Sequence, residues 1–236
     1  MRGLALLIML ASTLAYAARE EYVETRELRL DTEGVSVLRI EAGAGNLTVT
    51  GDPGADGIVV TATIAVPGDE SAARRRIDER LVLTLERVDD VAELDGYFES
   101  GLFGWGQAAS VALSVSVPQA LDLNVVDASG GLEILAIGGD VIIEDGSGGI
   151  RVFDSGGHIE IEDGSGGIRV EGVAGNVRIA DGSGSMTIER ISGSVFIEDG
   201  SGSIRVADVQ QDLIVEDKGS GGVDFERVLG RVDIDE

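Results

Sequence analysis

The chain contains no cysteine, three prolines, one histidine, and only one Trp, three Tyr and five Phe in 236 residues. Without cysteine there are no disulfide staples and no lipid-bearing cysteine, so stability has to come from a stacked core. With His158 as the sole histidine and no paired Asp and Ser context beside it, nucleophilic catalysis lacks an oriented base. Basic residues are scarce as well: 18 Lys and Arg stand against 43 Asp and Glu, a formal charge of −25. That balance argues against nucleic acid or anionic lipid as partners, and it keeps an exposed sheet soluble. No run beyond the N-terminus is apolar enough to span a membrane.

The first residues read as a targeting segment. Arg2 supplies the positive start, Leu4 to Leu14 an apolar stretch, and Ala15-Tyr16-Ala17 a small-x-small cleavage signal. Residues 1–17 are therefore expected to be removed on export, leaving a mature protein in the periplasm, the cell envelope or the medium without a transmembrane segment.

From Asp127 the sequence falls into twelve units of about nine residues, each close to x-x-x-Gly-x-φ-x-φ-x with φ apolar. The apolar pair runs from Leu132 and Ile134 to Val232 and Ile234, with one extra residue in the unit at Asp217. Apolar residues two apart share one face of a strand, and the preceding Gly permits a turn with φ > 0. Strands this short cannot bury a face alone, so the units must stack. Odd units open with Asp-Gly-Ser-Gly or variants of it. Several even units carry an apolar second residue (Ile137, Val173, Ile191, Val209, Val228). The true repeat is thus eighteen residues, and the expected fold is all-β: a two-sheet parallel β-solenoid with a rung spacing of about 4.8 Å.

Residues 18–126 are β-rich but less regular, and they are expected to continue the solenoid sheets and shield the first coil. Val35–Glu41, Ile58–Val66, Leu81–Arg87, Ser110–Val117 and Leu121–Val126 alternate as strands do. One short helix is expected at Glu70–Arg80, with Asp69 or Ser71 as N-cap. The segment Tyr97–Trp105 concentrates aromatics and reads as a hydrophobic plug over the solenoid end, with a contact loop as the alternative.

Three stretches carry a resemblance. Gly45-Asn-Leu-Thr-Val-Thr-Gly51, the lead-in Val115-Ser-Val-Pro118 followed by Leu121-Asp-Leu-Asn124 and Ser129-Gly-Gly131, and the Gly-Ser-Gly units running to Ile234 are together similar to a bacterial putative-adhesin family of β-strand-repeat domains of unknown function. The resemblance implies a solenoid architecture and carries no catalytic motif. Gln210-Gln211 departs from the family's Gly before a strand.

Two candidate sites follow. Asp127, Asp145, Asp163, Asp181, Asp199 and Asp217 should stack along one corner, four of them preceded by Glu. They offer either Asx-turn acceptors for backbone N–H groups or a calcium-binding edge. The second site comes from the outward columns. In the odd units this column is polar (Glu133, Arg151, Arg169, Thr187, Arg205, Asp224), as a solvated face should be. In the even units it includes Ile142, Glu160, Arg178, Phe196 and Ile214, with His158 and Asn176 alongside. Exposed apolar residues there predict either a docking or self-association face or a cover supplied by residues 19–126. The reading overall is a non-catalytic exported scaffold, adhesin-like, for an envelope or surface protein or glycan. A glycan-acting β-helix enzyme and a structural calcium-binding module stand as alternatives.

Overall fold

Alternating apolar residues make strands of most of the chain, and nearly every strand finds its partner one coil away. A computed structural model describes residues 21–99 and 109–235; the targeting segment and the centre of the aromatic loop lie outside them. The first elements are β1 (Glu21–Asp31), β2 (Val37–Ala44), β3 (Leu47–Asp52), β4 (Gly57–Pro67), α1 (Glu70–Arg80), β5 (Leu81–Val88), β6 (Val91–Phe98), β7 (Ser110–Pro118) and β8 (Asp122–Leu135). The repeats follow as β9 (Val141–Asp145), β10 (Gly148–Ser155), β11 (Ile159–Asp163), β12 (Gly166–Val173), β13 (Val177–Asp181), β14 (Gly184–Ile191), β15 (Val195–Asp199), β16 (Gly202–Val209), β17 (Leu213–Asp217), β18 (Gly222–Val228) and β19 (Val232–Ile234).

Even and odd units form two parallel sheets. In the odd-unit sheet Ile150 pairs with Ile168 and Ile168 with Met186; in the even-unit sheet Val141 pairs with Ile159 and Ile159 with Val177. Each step is eighteen residues. The inward columns are those expected, and Ile150, Val152, Ile161 and Ile188 have no exposed surface. A third inward column runs along the start of the even units, through Ile137, Val173, Ile191 and Val209. Ser155 interrupts it, and its buried hydroxyl has no hydrogen-bond partner.

The solenoid begins before the repeats, with the coil made by β2 and β3. β2 and β3 pair in parallel with the two halves of β8, and β6 and β7 then pair with β2 and β3 on their other side. The coil made by β2 and β3 is therefore held between a later coil and the repeats. Antiparallel strands close this end: β5 on β6, β4 on β7 and β1 on β4. Helix α1 covers it with Ala73 and Ile77 and is capped by the Asp69 carboxylate, which accepts Ala72 N–H at 3.0 Å. Tyr97 and Phe98 are half-buried here, and the Arg76 guanidinium lies over the Phe98 ring. The strands β1 and β6 were not marked in the sequence. At the far end Phe225, Leu229 and Val232 are exposed.

Close stacking explains the invariant glycines. Gly45, Gly130, Gly148, Gly166, Gly184 and Gly202 form a column with φ between 140° and 159°, a region that costs any residue with a Cβ. A Cβ on Gly166 would sit 1.5 Å from the Gly148 carbonyl oxygen. The next position is roomy: a Cβ on Gly167 meets nothing closer than the Ser185 oxygen at 3.8 Å, and Ser185 and Ser203 occupy that column in later coils. The opposite corner uses left-handed backbone with mostly non-glycine residues, at Ala136, Asp154, Arg190, Asp208 and Arg227, beside Gly172.

The extra residue near Asp217 appears as a bulge. Val215 still pairs beside Ile197, but Glu198 faces Asp217, so Glu216 is the inserted residue. Gln210 and Gln211 leave the opposite corner unchanged, with Gln210 N–H bonded to Ile191 O at 2.9 Å.

Two stability outcomes are expected. Gly166→Ala should cost about 4 kcal/mol or abolish soluble protein, whereas Gly167→Ala should stay within about 0.5 kcal/mol, both read by urea unfolding. Ser155→Val should raise stability by about 1 kcal/mol, since it restores the apolar column and removes an unpaired hydroxyl.

Candidate functional site

The outward column of the even-unit sheet keeps the expected register, with Ile142 beside Glu160, then Arg178, Phe196, Ile214 and Asp233. Ile142 is 41% exposed, and Phe196 and Ile214 are half-buried against each other's rungs. The N-terminal strands extend the two sheets edge-on at one end, and so they do not provide the cover that was one reading of this face. Ile142, His158, Glu160, Asn176, Arg178 and Phe196 line a shallow groove of about 360 Å³. Arg178 reaches diagonally past Phe196 to Glu198 on the next strand at 2.6 Å. On the odd-unit sheet the corresponding column is polar and braced by ion pairs, such as Arg169 with Glu171 at 2.7 Å and with Glu189 at 3.5 Å.

One edge of the groove is a ladder that the sequence did not reveal. At the residue before each even strand, a side chain accepts the backbone N–H of the same position one coil later. Asp122 Oδ1 takes Asp140 N–H (2.8 Å), Asp140 Oδ1 takes His158 N–H (2.7 Å), and His158 Nδ1 takes Asn176 N–H (2.9 Å). Asn176 Oδ1 takes Ser194 N–H (2.9 Å), Ser194 Oγ takes Asp212 N–H (3.3 Å), and Asp212 Oδ1 takes Arg231 N–H (2.8 Å). The column looks unrelated as letters, but every rung with a successor carries an acceptor. His158 therefore has a backbone role: Nδ1 is the unprotonated nitrogen, and Nε2 carries the hydrogen in the neutral ring.

The acidic corner is a groove of about 660 Å³ whose lining includes Asp127, Asp145, Asp163, Asp181, Asp199 and Asp217, with Glu144, Glu162 and Glu198. The Asx-turn geometry is present. Asp145, Asp163, Asp181 and Asp199 Oδ1 accept the N–H of Ser147, Ser165, Ser183 and Ser201 at 3.3, 3.1, 3.0 and 3.1 Å. Asp217 departs from the expected column. The Glu216 bulge moves it beside Glu198, where it is exposed and caps Gly219 N–H at 2.8 Å. Among the described residues, no three or more His, Cys, Asp or Glu side chains are grouped so that they could hold a metal ion.

The ladder makes a test of its own. His158→Ala should cost about 1 kcal/mol by leaving Asn176 N–H without its acceptor, while His158→Asn should keep wild-type stability in the same urea titration.

No family model matches the chain, and no curated protein does. Solved structures do. A putative adhesin from Bacteroides fragilis is 10% identical with a TM-score of 0.44, over 91% of this chain and 97% of that one. A putative cell adhesion protein from Clostridium sporogenes is 12% identical with a TM-score of 0.35, over 92% and 99%. A putative adhesin from Parabacteroides distasonis is 10% identical with a TM-score of 0.30, over 89% and 97%. The chain is thus similar, along most of its length, to bacterial proteins named for adhesion.

Proposed function

We propose that the protein is an exported, non-catalytic solenoid that presents its even-unit sheet to a partner at the cell envelope, in the manner of an adhesin. The observation that carries this reading is the contrast between the two outward faces. The odd-unit sheet has a middle column that is polar and braced by ion pairs, with Leu135 and Phe153 as its outward apolar neighbours at one end. The other places Ile142, Phe196 and Ile214 among Glu160, Arg178 and Asn176. Apolar and aromatic anchors ringed by polar groups have the make-up of interface hot spots.

A rigid parallel stack holds such residues at fixed spacing, so the face needs little ordering when it binds. Surface proteins, glycans and a second copy of the chain are the partner classes that suit it. The charge of −25 favours neutral or cationic surfaces over anionic ones. Export rests on the segment ending at Ala17, and N-terminal sequencing of the cell-derived protein should begin at Ala18.

The double change Phe196→Ser and Ile214→Ser tests the face. Capture of the partner from native envelope, binding to a polysaccharide panel, or dimerisation should weaken at least tenfold. Tm should fall by no more than about 4 °C, because both side chains are only half-buried. A collapse of Tm would make the face part of the core and end the proposal.

A further inference from the structure

The aspartate corner poses a problem that its turn role leaves unsolved. Val141, Ile143 and Asp145 alternate inward along β9, and the same pattern repeats in β11, β13 and β15. The aspartates thus end the inward face of each even strand, at the floor of the acidic groove. Asp127, Asp145, Asp163, Asp181 and Asp199 are only 2, 6, 6, 5 and 2% exposed. One oxygen of each of the last four is spent on a serine N–H, and the other is buried with no hydrogen-bond partner. At Asp127 neither oxygen makes a well-formed hydrogen bond, and the nearby Ala128 and Ser129 N–H groups only partly offset its burial.

Successive rungs bring these carboxyl groups to about 4.8 Å from one another. Among the described residues, the lining of the groove offers no countercharge. The groove is lined by Glu144, Glu162 and Glu198 on the outward side of the same strands, by Val126 and Ala180 on the other two rungs, and by Asp217 at its end. From the odd-unit side the corner contributes only backbone N–H groups and glycines, and no Lys, Arg or His is among the lining residues. A column of ionised carboxylates would repel along its length while giving up solvation.

Two ligands could relieve this. Calcium takes six to eight oxygens, about 2.3–2.6 Å away, but the free oxygens are buried and the others are already engaged. A proton needs one oxygen. We propose that the column is a proton-binding ladder, in which some rungs are carboxylic acids at neutral pH and each shares its proton with the carboxylate of the adjoining rung. Uptake moves one proton from solvent onto Oδ2 and cancels one negative charge, with no other bond made or broken. The new O–H supplies the donor that the buried oxygens lack.

Burial raises Asp127 to about 7, helped by the neighbouring Asp145 charge. It also pushes Asp145, Asp163, Asp181 and Asp199 upward. A carboxyl group raised in the folded state adds stability that is fully present below its ordinary value, near 3.8. That stability is lost as pH rises through the folded value. The ladder therefore firms the solenoid in acid, and at Asp127 that contribution falls away as pH rises from near 4 to about 7. Glu171 and Asp208, half-buried and lowered by their arginine partners, act in the opposite sense from other faces.

The test uses the full chain. Asp163→Asn with Asp181→Asn keeps the turn acceptor and puts an amide donor where the proton would be. Glu144→Gln with Glu162→Gln removes the same charge from the exposed rim. Wild type should show a protonated-carboxyl band in the infrared at pH 7 and a Tm that rises from pH 8 to pH 5. The Asp163/Asp181 variant should melt about 3 °C or more above wild type at pH 8, with a flatter pH profile and a weaker band. The glutamine pair should keep both the profile and the band. Absence of the band from wild type at pH 7 would overturn the ladder, even if the asparagine variant fails to fold. So would an asparagine variant that is less stable at pH 8 and as steep as wild type. A Tm rise in millimolar calcium at pH 8 that needs Asp163 and Asp181 would assign the column to metal and equally end the proposal.

Discussion

Everything in the repeat body answers to one distance, the roughly 4.8 Å between a residue and its counterpart in the next coil. A parallel stack without stagger brings like against like, so each position is chosen for how it tolerates its own copy. Where backbone meets backbone, only glycine fits, and the Gly130–Gly202 column follows. Where apolar meets apolar, the contact is favourable at every rung, and the Ile and Val columns form the core. Where a side-chain acceptor meets a backbone donor, a ladder runs from Asp122 to Arg231. Where carboxyl meets carboxyl, the same spacing turns a turn-capping residue into a source of repulsion.

Much of this architecture could be read from the letters, because the period is strict and burial obeys it. The eighteen-residue coil, both inward pairs, the third apolar column, the polar and apolar outward faces and α1 with its Asp69 cap all follow from local pattern. What the pattern could not give is order in space. β2 and β3 precede β6 and β7 in sequence but lie between β6–β7 and β8 in the stack. Nothing local distinguishes a coil that pairs with its sequence neighbour from one that waits for a distant one. β1 and β6 were missed for a related reason, since one is rich in charged residues and the other is interrupted by Gly96.

The candidate sites divide along the same line. Alternation placed Ile142, Phe196 and Ile214 on one face, but it could not say whether that face was covered. The corner ladder escaped notice because its rungs share a function and not an identity: Asp, His, Asn and Ser all offer an acceptor at similar reach. Asp217 was misplaced because one inserted residue, Glu216, turns a column member outward, and the sequence shows the length of an insertion but not its site. The inward direction of the other five aspartates could have been found by carrying the period-two alternation one residue past each apolar pair.

The interleaved coil also bears on how the chain reaches this state. Repeats β9 to β19 pair across eighteen or nineteen residues, so each rung closes a short loop onto one already formed. The contact between Asn46 and Gly131 closes a separation of 85. Closing longer loops costs more entropy and slows folding. The repeat body is therefore the part that zips quickly, and the capped end, where β2 and β3 must be gripped from both sides, sets the pace.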